Sequence, residues 1–177
     1  MKVISKNLFF RSVSVEDSDF IYDLRTSRGQ FINNHNYTRE INKNYISESV
    51  IKESKGIEYY FVISDSRENI GVVRIYNINT NQKSFTWGSW IILDGKSPIY
   101  PIVSAVMVYA YAFDYLGMDK SLFDVRNENF KVKSFHEKTG AKYLKKDEKD
   151  TFYSFDKIDY EILRKKYQKY IGEIKFL

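Results

Sequence analysis

His35 and His136 are the two side chains in this sequence whose ordinary pKa lies near neutrality, so they are the first candidates for moving a proton. His35 stands in the polar run Asn33-Asn34-His35-Asn36-Tyr37, where it reads either as a base or ligand contact or as a surface-loop histidine. His136 falls one turn before the end of a predicted helix, where an imidazole either takes part in proton transfer or fills a partly buried position. Arg25 and Arg74 carry forked guanidinium groups that match phosphate oxygens two at a time. Tyr76, Trp87 and Trp90 offer flat faces for stacking on a sugar or a base. Regular strand alternation sets Trp87 and Ser89 on one face and Trp90 on the other, so one indole at most faces a ligand and the other packs. Asp124, inside a predicted strand, reads as a salt-bridged or edge-exposed carboxylate and Glu58, flanking another, as a solvent-facing one, which leaves water as the proton acceptor. The chain has no cysteine, its two histidines are far apart, and no His-Glu-x-x-His spacing occurs, so no metal site is expected. Gly-x-Gly-x-x-Gly, a Walker phosphate loop and Gly-x-Ser-x-Gly do not occur either.

The frame that must hold these side chains is bounded by composition. With 177 residues, 43% hydrophobic and 29% charged, the chain has the make-up of one globular domain spanning residues 1–177. Fifteen Tyr and 13 Phe favour strands, core and ligand-facing walls. The absence of cysteine fits a reducing cytoplasm. Met1-Lys2-Val3-Ile4-Ser5-Lys6 lacks the apolar stretch of a signal peptide. The longest apolar run, residues 98–116, contains Pro98, Pro101, Asp114 and several tyrosines, so it reads as a buried helix rather than a membrane span. Net charge is +5, and residues 131–149 carry seven Lys against Glu137, Asp147 and Glu148. That excess is either a solvated surface or a basic field for a polyanion, a phosphorylated cofactor or a nucleic acid. With no nucleic-acid recognition motif, the last is the weakest reading.

Pattern and punctuation predict strands at 7–13, 59–64, 70–76, 84–93, 121–125, 141–144 and 152–158. Predicted helices follow Ser14 up to Gly29 and cover 42–54, 101–116, 130–139 and 159–170. Ser14 and Asp17 suggest a capping box, Gly56, Gly117 and Gly140 suit helix ends, and Pro101 suits a helix start. The resulting order, β-α-α-β-β-β-α-β-α-β-β-α, indicates an α+β or mixed α/β fold.

This order resembles the GNAT acetyltransferase superfamily. The segment from Val125 to Ala141 looks like that family's strand-helix-turn near its C-terminus, with Asn129 opening the helix and His136, Glu137, Lys138 and Gly140 in matching places; Ala141 stands where Phe is usual. Ile70-Gly71 resembles the family's Ile-Gly pair, and residues 84–93 resemble the strand against which the acyl-pantetheine arm lies. The resemblance implies a central twisted mixed sheet of about six to seven strands flanked by helices, with acetyl-coenzyme A as co-substrate. It implies that backbone amides near Ile91 to Leu93 stabilise the thioester carbonyl, where that strand splays from its neighbour. It implies that Asn129, Lys138 and the residues leading into the following helix hold the cofactor. One departure stands out. The family's Gln/Arg-x-x-Gly-x-Gly/Ala loop is replaced by Pro98-Ile99-Tyr100-Pro101-Ile102-Val103 before Ser104. Two prolines lack N–H donors, leaving the amides of Ile99, Tyr100, Ile102, Val103 and Ser104 at a helix N-terminus to grip the diphosphate.

His136 occupies the position where many family members have a Tyr near the coenzyme sulfur, so the resemblance implies that it protonates or hydrogen-bonds the leaving thiolate. Arg25, His35, Arg74, Tyr76 and Trp87 then line the acceptor side. Within the superfamily the sequence looks most like acetyltransferases acting on nucleotide-linked amino sugars in bacterial surface-polysaccharide pathways. The residues that carry this are Leu24-Arg25, residues 60–63, 88–91 and 123–126, and Ser134-Phe135-His136 with Gly140-Ala141. An N-terminal-residue acetyltransferase and a non-catalytic domain that keeps the fold to bind a ligand or partner are the alternatives. The sequence leaves the oligomeric state open, a homodimer included.

Overall fold

Aromatic and β-branched runs build the strands, and in the computed structural model, which describes residues 1–28 and 37–177, nine of them join in one mixed sheet. In chain order the elements are β1 (Lys2–Ile4), β2 (Phe9–Ser12), α1 (Ser18–Arg28), α2 (Arg39–Ser54), β3 (Tyr59–Ser64), β4 (Asn69–Asn79) and β5 (Ser84–Ile92). After them come α3 (Tyr100–Ala110), β6 (Lys120–Arg126), α4 (Phe130–Thr139), β7 (Lys142–Lys146), β8 (Asp150–Asp156), α5 (Lys157–Ile171) and β9 (Lys175–Phe176). Across the sheet the order is β7-β8-β6-β5-β4-β3-β2-β1-β9. Every neighbouring pair is antiparallel except β5 with β6. The expected six to seven strands become nine because β1 and β9 pair with each other and extend the sheet beyond β2.

The sheet is covered on both faces. In β3, Tyr60 and Val62 pack with Ile21 and Leu24 of α1 and Ile46 of α2, while Phe61 and Ile63 belong to the larger core formed with α3 and α5. α3 is buried on every side from Val103 to Ala110 and continues as a π-helical turn over Tyr111–Tyr115, as its uniform apolarity demands. Caps fix the helix boundaries. Thr38 accepts the Ile41 amide at 3.2 Å, which starts α2 before the expected residue 42. The Asp156 amide donates to Asp159 at 3.0 Å, ending β8 and starting α5 two residues earlier than the pattern suggested. Asn129 accepts the Val132 amide at 3.2 Å and opens α4, which Gly140 ends at φ 107°.

Two irregularities in β5 position the site. Its parallel pairing with β6 is confined to Ser84 with Lys120 and Phe85 with Ser121, and beyond these residues the strands part. Against β4, Val72 pairs with Ile91 but Arg74 pairs with Gly88, so Ser89 and Trp90 oppose the single residue Val73: a β-bulge. Ser89 takes the left-handed conformation there, with φ 49°.

Candidate active site

The gap between β5 and β6 is a cleft of about 290 Å³, walled by Tyr76 of β4, residues 87–90 of β5, residues 123–126 of β6, and Asn129, Val132 and His136 at and along α4. A groove of about 530 Å³ shares Trp90 and Val132 with it and runs between Pro98, Pro101 and Ile102 on one side and Lys131, Ser134 and Lys138 on the other. Both are of the size that small-molecule sites occupy, roughly 300–1,000 Å³.

The bulge overturns the expected alternation of the two tryptophans. One extra residue between Trp87 and Trp90 returns both indoles to the same face, with ring centroids 5.4 Å apart. His136 lies against both, 5.3 Å from Trp87 and 6.4 Å from Trp90, and packs on Phe123 at 4.4 Å and Phe135 at 5.4 Å. It is 4% exposed, and burial pushes its pKa down to about 3. The imidazole is therefore neutral at physiological pH, and its Nδ1 has no hydrogen-bond partner among the described residues.

The ladder between β4 and β5 narrows the choice of backbone donor. Leu93 N–H donates to Ile70 C=O at 2.8 Å, so it is committed to β4, and Ile91 faces β4 in the same ladder through its pairing with Val72. Successive amides along a strand point to opposite neighbours, so the Ile92 N–H is directed toward the side from which β6 has departed. Ile92 lines the groove. Of the expected stretch from Ile91 to Leu93, Ile92 is thus the residue whose amide is directed away from β4.

The helix entrance is also partly used up. Tyr100 N–H donates to Ser97 C=O and Val103 N–H to Ile99 C=O, both at 3.0 Å. The amides of Ile99 and Ile102 donate to no backbone carbonyl among the described residues. Ser104, expected to hold cofactor, is fully buried; its hydroxyl accepts from Trp90 Nε1 at 3.2 Å and donates to Pro101 C=O at 3.0 Å, tying the bulge to the first turn of α3. Lys138 lies on the groove, joined by Lys131 seven residues earlier on α4. The side-chain oxygen of Asn129 is spent on the α4 cap, and the residue faces the cleft rather than the groove.

On the α1–α2 side, Tyr76 lines the cleft over Gly88, whose missing side chain leaves room for the phenol. Arg74 does not line the cleft. Its Nε stands 3.1 Å from Glu58 Oε1, off line for a hydrogen bond, and Nη2 donates to Oε2 at 3.3 Å. Its guanidinium stacks on Tyr76 at 4.6 Å and Tyr45 at 5.3 Å, so its charge is matched by Glu58, a buried carboxylate rather than the solvent-facing one expected. Arg25, on α1, covers the ring of Tyr37 at 5.1 Å and sits close to the buried Tyr60. His35 lies outside the described residues. Asp124, passed over in the sequence, lines the cleft. Among the described residues no cluster of three His, Asp or Glu side chains could hold a metal, and no helix is long and apolar enough to cross a membrane.

A sheet split beside a bulge, with the Ile92 amide directed at the split, is the arrangement that the resemblance requires, and the sequence profile of the acetyltransferase (GNAT) domain matches residues 7–142. The chain belongs to the GNAT family of acetyltransferases. The solved structure described as apo FdhC, a nucleotide-linked sugar GNAT, is 32% identical, covering 97% of this chain and 99% of that one with a TM-score of 0.89. Spermidine N-acetyltransferase from Vibrio cholerae, solved with CoA and spermine, shares the fold at 18% identity, covering 88% of this chain and 98% of that one with a TM-score of 0.74. No curated protein sequence matches the chain at a significant level. As a GNAT family member the chain is an N-acetyltransferase, and GNAT proteins draw their acetyl group from acetyl-coenzyme A.

Proposed function

We propose that the chain transfers the acetyl group of acetyl-coenzyme A to the amine of a nucleotide-linked amino sugar. The observation that carries the transfer is the cleft itself, open between β5 and β6 and adjoining a lysine-flanked groove with which it shares Trp90 and Val132. The sugar class is supported by the likeness to FdhC over nearly the whole of both chains. A net charge of +5 also suits an acceptor that carries phosphates.

The residues fit a coenzyme thioester. Bound in the groove, the thioester supplies an activated acyl carbon. The chain supplies the rest. The Ile92 amide, left without a strand partner, faces the position where the carbonyl oxygen gains negative charge. His136 offers a neutral imidazole N–H to the sulfur as it leaves, stabilising the thiolate by a hydrogen bond rather than by a formal positive charge. Trp90, held by Ser104, forms the wall shared by acceptor cleft and cofactor groove. The glycine loop of the relatives is replaced by a divided grip: the free amides of Ile99 and Ile102 on the α3 side, and Lys131 and Lys138 on the α4 side. Tyr76 and Trp87 contact the acceptor, while Arg74, neutralised by Glu58, braces Tyr76.

The test is an initial-rate assay of thiol release from acetyl-coenzyme A, using UDP- and dTDP-linked amino sugars, spermidine and short peptides with free N-termini as acceptors. Turnover is expected with a nucleotide-linked amino sugar. Turnover confined to peptides or to spermidine would overturn the sugar assignment.

A further inference from the structure

Four of the side chains lining the cleft could exchange a proton: Tyr76, Asp124, Arg126 and His136. Three of them are unsuited to receive one at neutral pH. Burial raises the pKa of the Tyr76 phenol, which stays protonated. Arg126 is a cation paired with Asp150 at 2.9 Å and 3.1 Å. His136 is neutral, but its burial among Trp87, Phe123 and Phe135 opposes protonation. Asp124 remains.

Its placement suits the task. Along β6 the side chains alternate strictly: Ser121, Phe123 and Val125 are buried, whereas Lys120, Leu122, Asp124 and Arg126 are exposed. Phe123 carries the His136 ring, so Asp124, the next residue of the same strand, points to the opposite face of the sheet, and its charge is felt by Tyr76. The cleft thus has one wall of aromatic rings and neutral imidazole, adjoining the groove, and another with a phenol and a carboxylate. An amine that meets a thioester lying in the groove arrives past the second wall.

We propose that Asp124 is the proton acceptor for the attacking amine, an assignment that rests on the acetyl transfer set out above. The unprotonated amine forms the C–N bond to the thioester carbon, and its nitrogen becomes cationic. The proton passes from nitrogen to the Asp124 carboxylate. The C–S bond breaks, the thiolate takes a proton from water, and Asp124 returns its own to solvent, so amine and thioester become amide and thiol. Although the residue is exposed along β6, its carboxyl is partly desolvated within the cleft; this, with the nearby Asp150 and Asp147 from β8 and the β7–β8 turn, outweighs the opposing Arg126 and its own backbone amide and raises the Asp124 pKa, which makes its carboxylate a better base. From β4 it faces the uncharged phenol of Tyr76.

The test is Asp124→Asn, which keeps shape and hydrogen bonding, assayed with the amino sugar that gives the highest wild-type turnover. We expect kcat to fall on the order of 10²–10⁴-fold, with acetyl-coenzyme A affinity, read by Trp87 and Trp90 fluorescence, unchanged. The lower limb of the kcat/KM against pH profile, which rises through the Asp124 pKa, should vanish, while the limb at the amine's own pKa stays; Asp124→Glu should restore part of the rate. A wild-type kcat with a raised KM would overturn the assignment and leave Asp124 as an acceptor contact. If wild-type protein acetylates no amino sugar, the acceptor reading fails on its own. The assignment is then read by carboxyl ¹³C NMR in the presence of acetyl-coenzyme A. Titration of Asp124 above the ordinary aspartate value supports it, and titration at or below that value overturns it.

Discussion

His136 trades stability for position. Nδ1 is buried without a partner among the described residues, a deficit typically worth about 1–3 kcal/mol. The folded-state pKa is about 3 against an ordinary 6.5, so below pH 6.5 the unfolded chain takes up a proton that the folded chain refuses. Stability from this residue is complete above pH 6.5 and is lost as pH falls toward the folded value, at up to about 1.4 kcal/mol per pH unit. His136→Phe keeps the ring packing and removes both the penalty and the N–H proposed to bond the leaving sulfur. Its urea midpoint should gain on the wild type as pH drops from 7 to 5, while turnover falls roughly ten-fold and acetyl-coenzyme A affinity holds. Unchanged turnover would remove His136 from the mechanism. Helix periodicity was enough to find this residue in the last turn of α4, but its neutrality comes from burial against Phe123 on the preceding strand and Trp87 on β5, far away in sequence. Asp124 was legible as a strand residue. What a strand pattern does not encode is that the neighbouring strand is missing beside it.

The bulge in β5 is an element-scale device with a partner in β4. A Cβ on Gly71 would run into the carbonyl oxygen of Ile91, so the close approach of β4 to the bulged strand depends on glycine there. Gly71→Ala should therefore cost about 1–3 kcal/mol in urea unfolding. It should also weaken acetyl-coenzyme A binding, because the displaced strand carries the Ile92 amide. Wild-type values for both would mean that the bulge does not need the glycine. The Ile-Gly pair was visible in the sequence, yet regular alternation misassigned Trp90, since one inserted residue shifts every side chain after it to the other face. β1 and β9 escaped for a different reason. At three and two residues they are too short to show a period, and they form because the two ends of the chain meet, with Lys2 N–H donating to Leu177 C=O at 2.7 Å and Leu177 N–H to Lys2 C=O at 2.9 Å.

At the scale of the whole molecule, the site exists because two halves of one sheet, β1–β5 with β9 and β6–β8, stay joined at Ser84–Phe85 and separate beyond it. The order of elements was readable because each helix and long strand carries its own period and punctuation, and the all-round burial of α3 follows from its composition alone. Neither the split nor the groove could be read that way, since both arise from strands and helices that meet across the sheet. The replacement of glycines by prolines before α3 is likewise intelligible only in three dimensions, where α4 brings Lys131 and Lys138 to the opposite bank. The most direct measurement is a crystal structure of the protein saturated with acetyl-coenzyme A. The thioester carbonyl oxygen should lie about 2.7–3.1 Å from the Ile92 amide nitrogen, with the diphosphate between the start of α3 and the α4 lysines. A thioester bound elsewhere, or a groove still closed to it at saturation, would contradict the assignment of the β5–β6 split as the place of transfer.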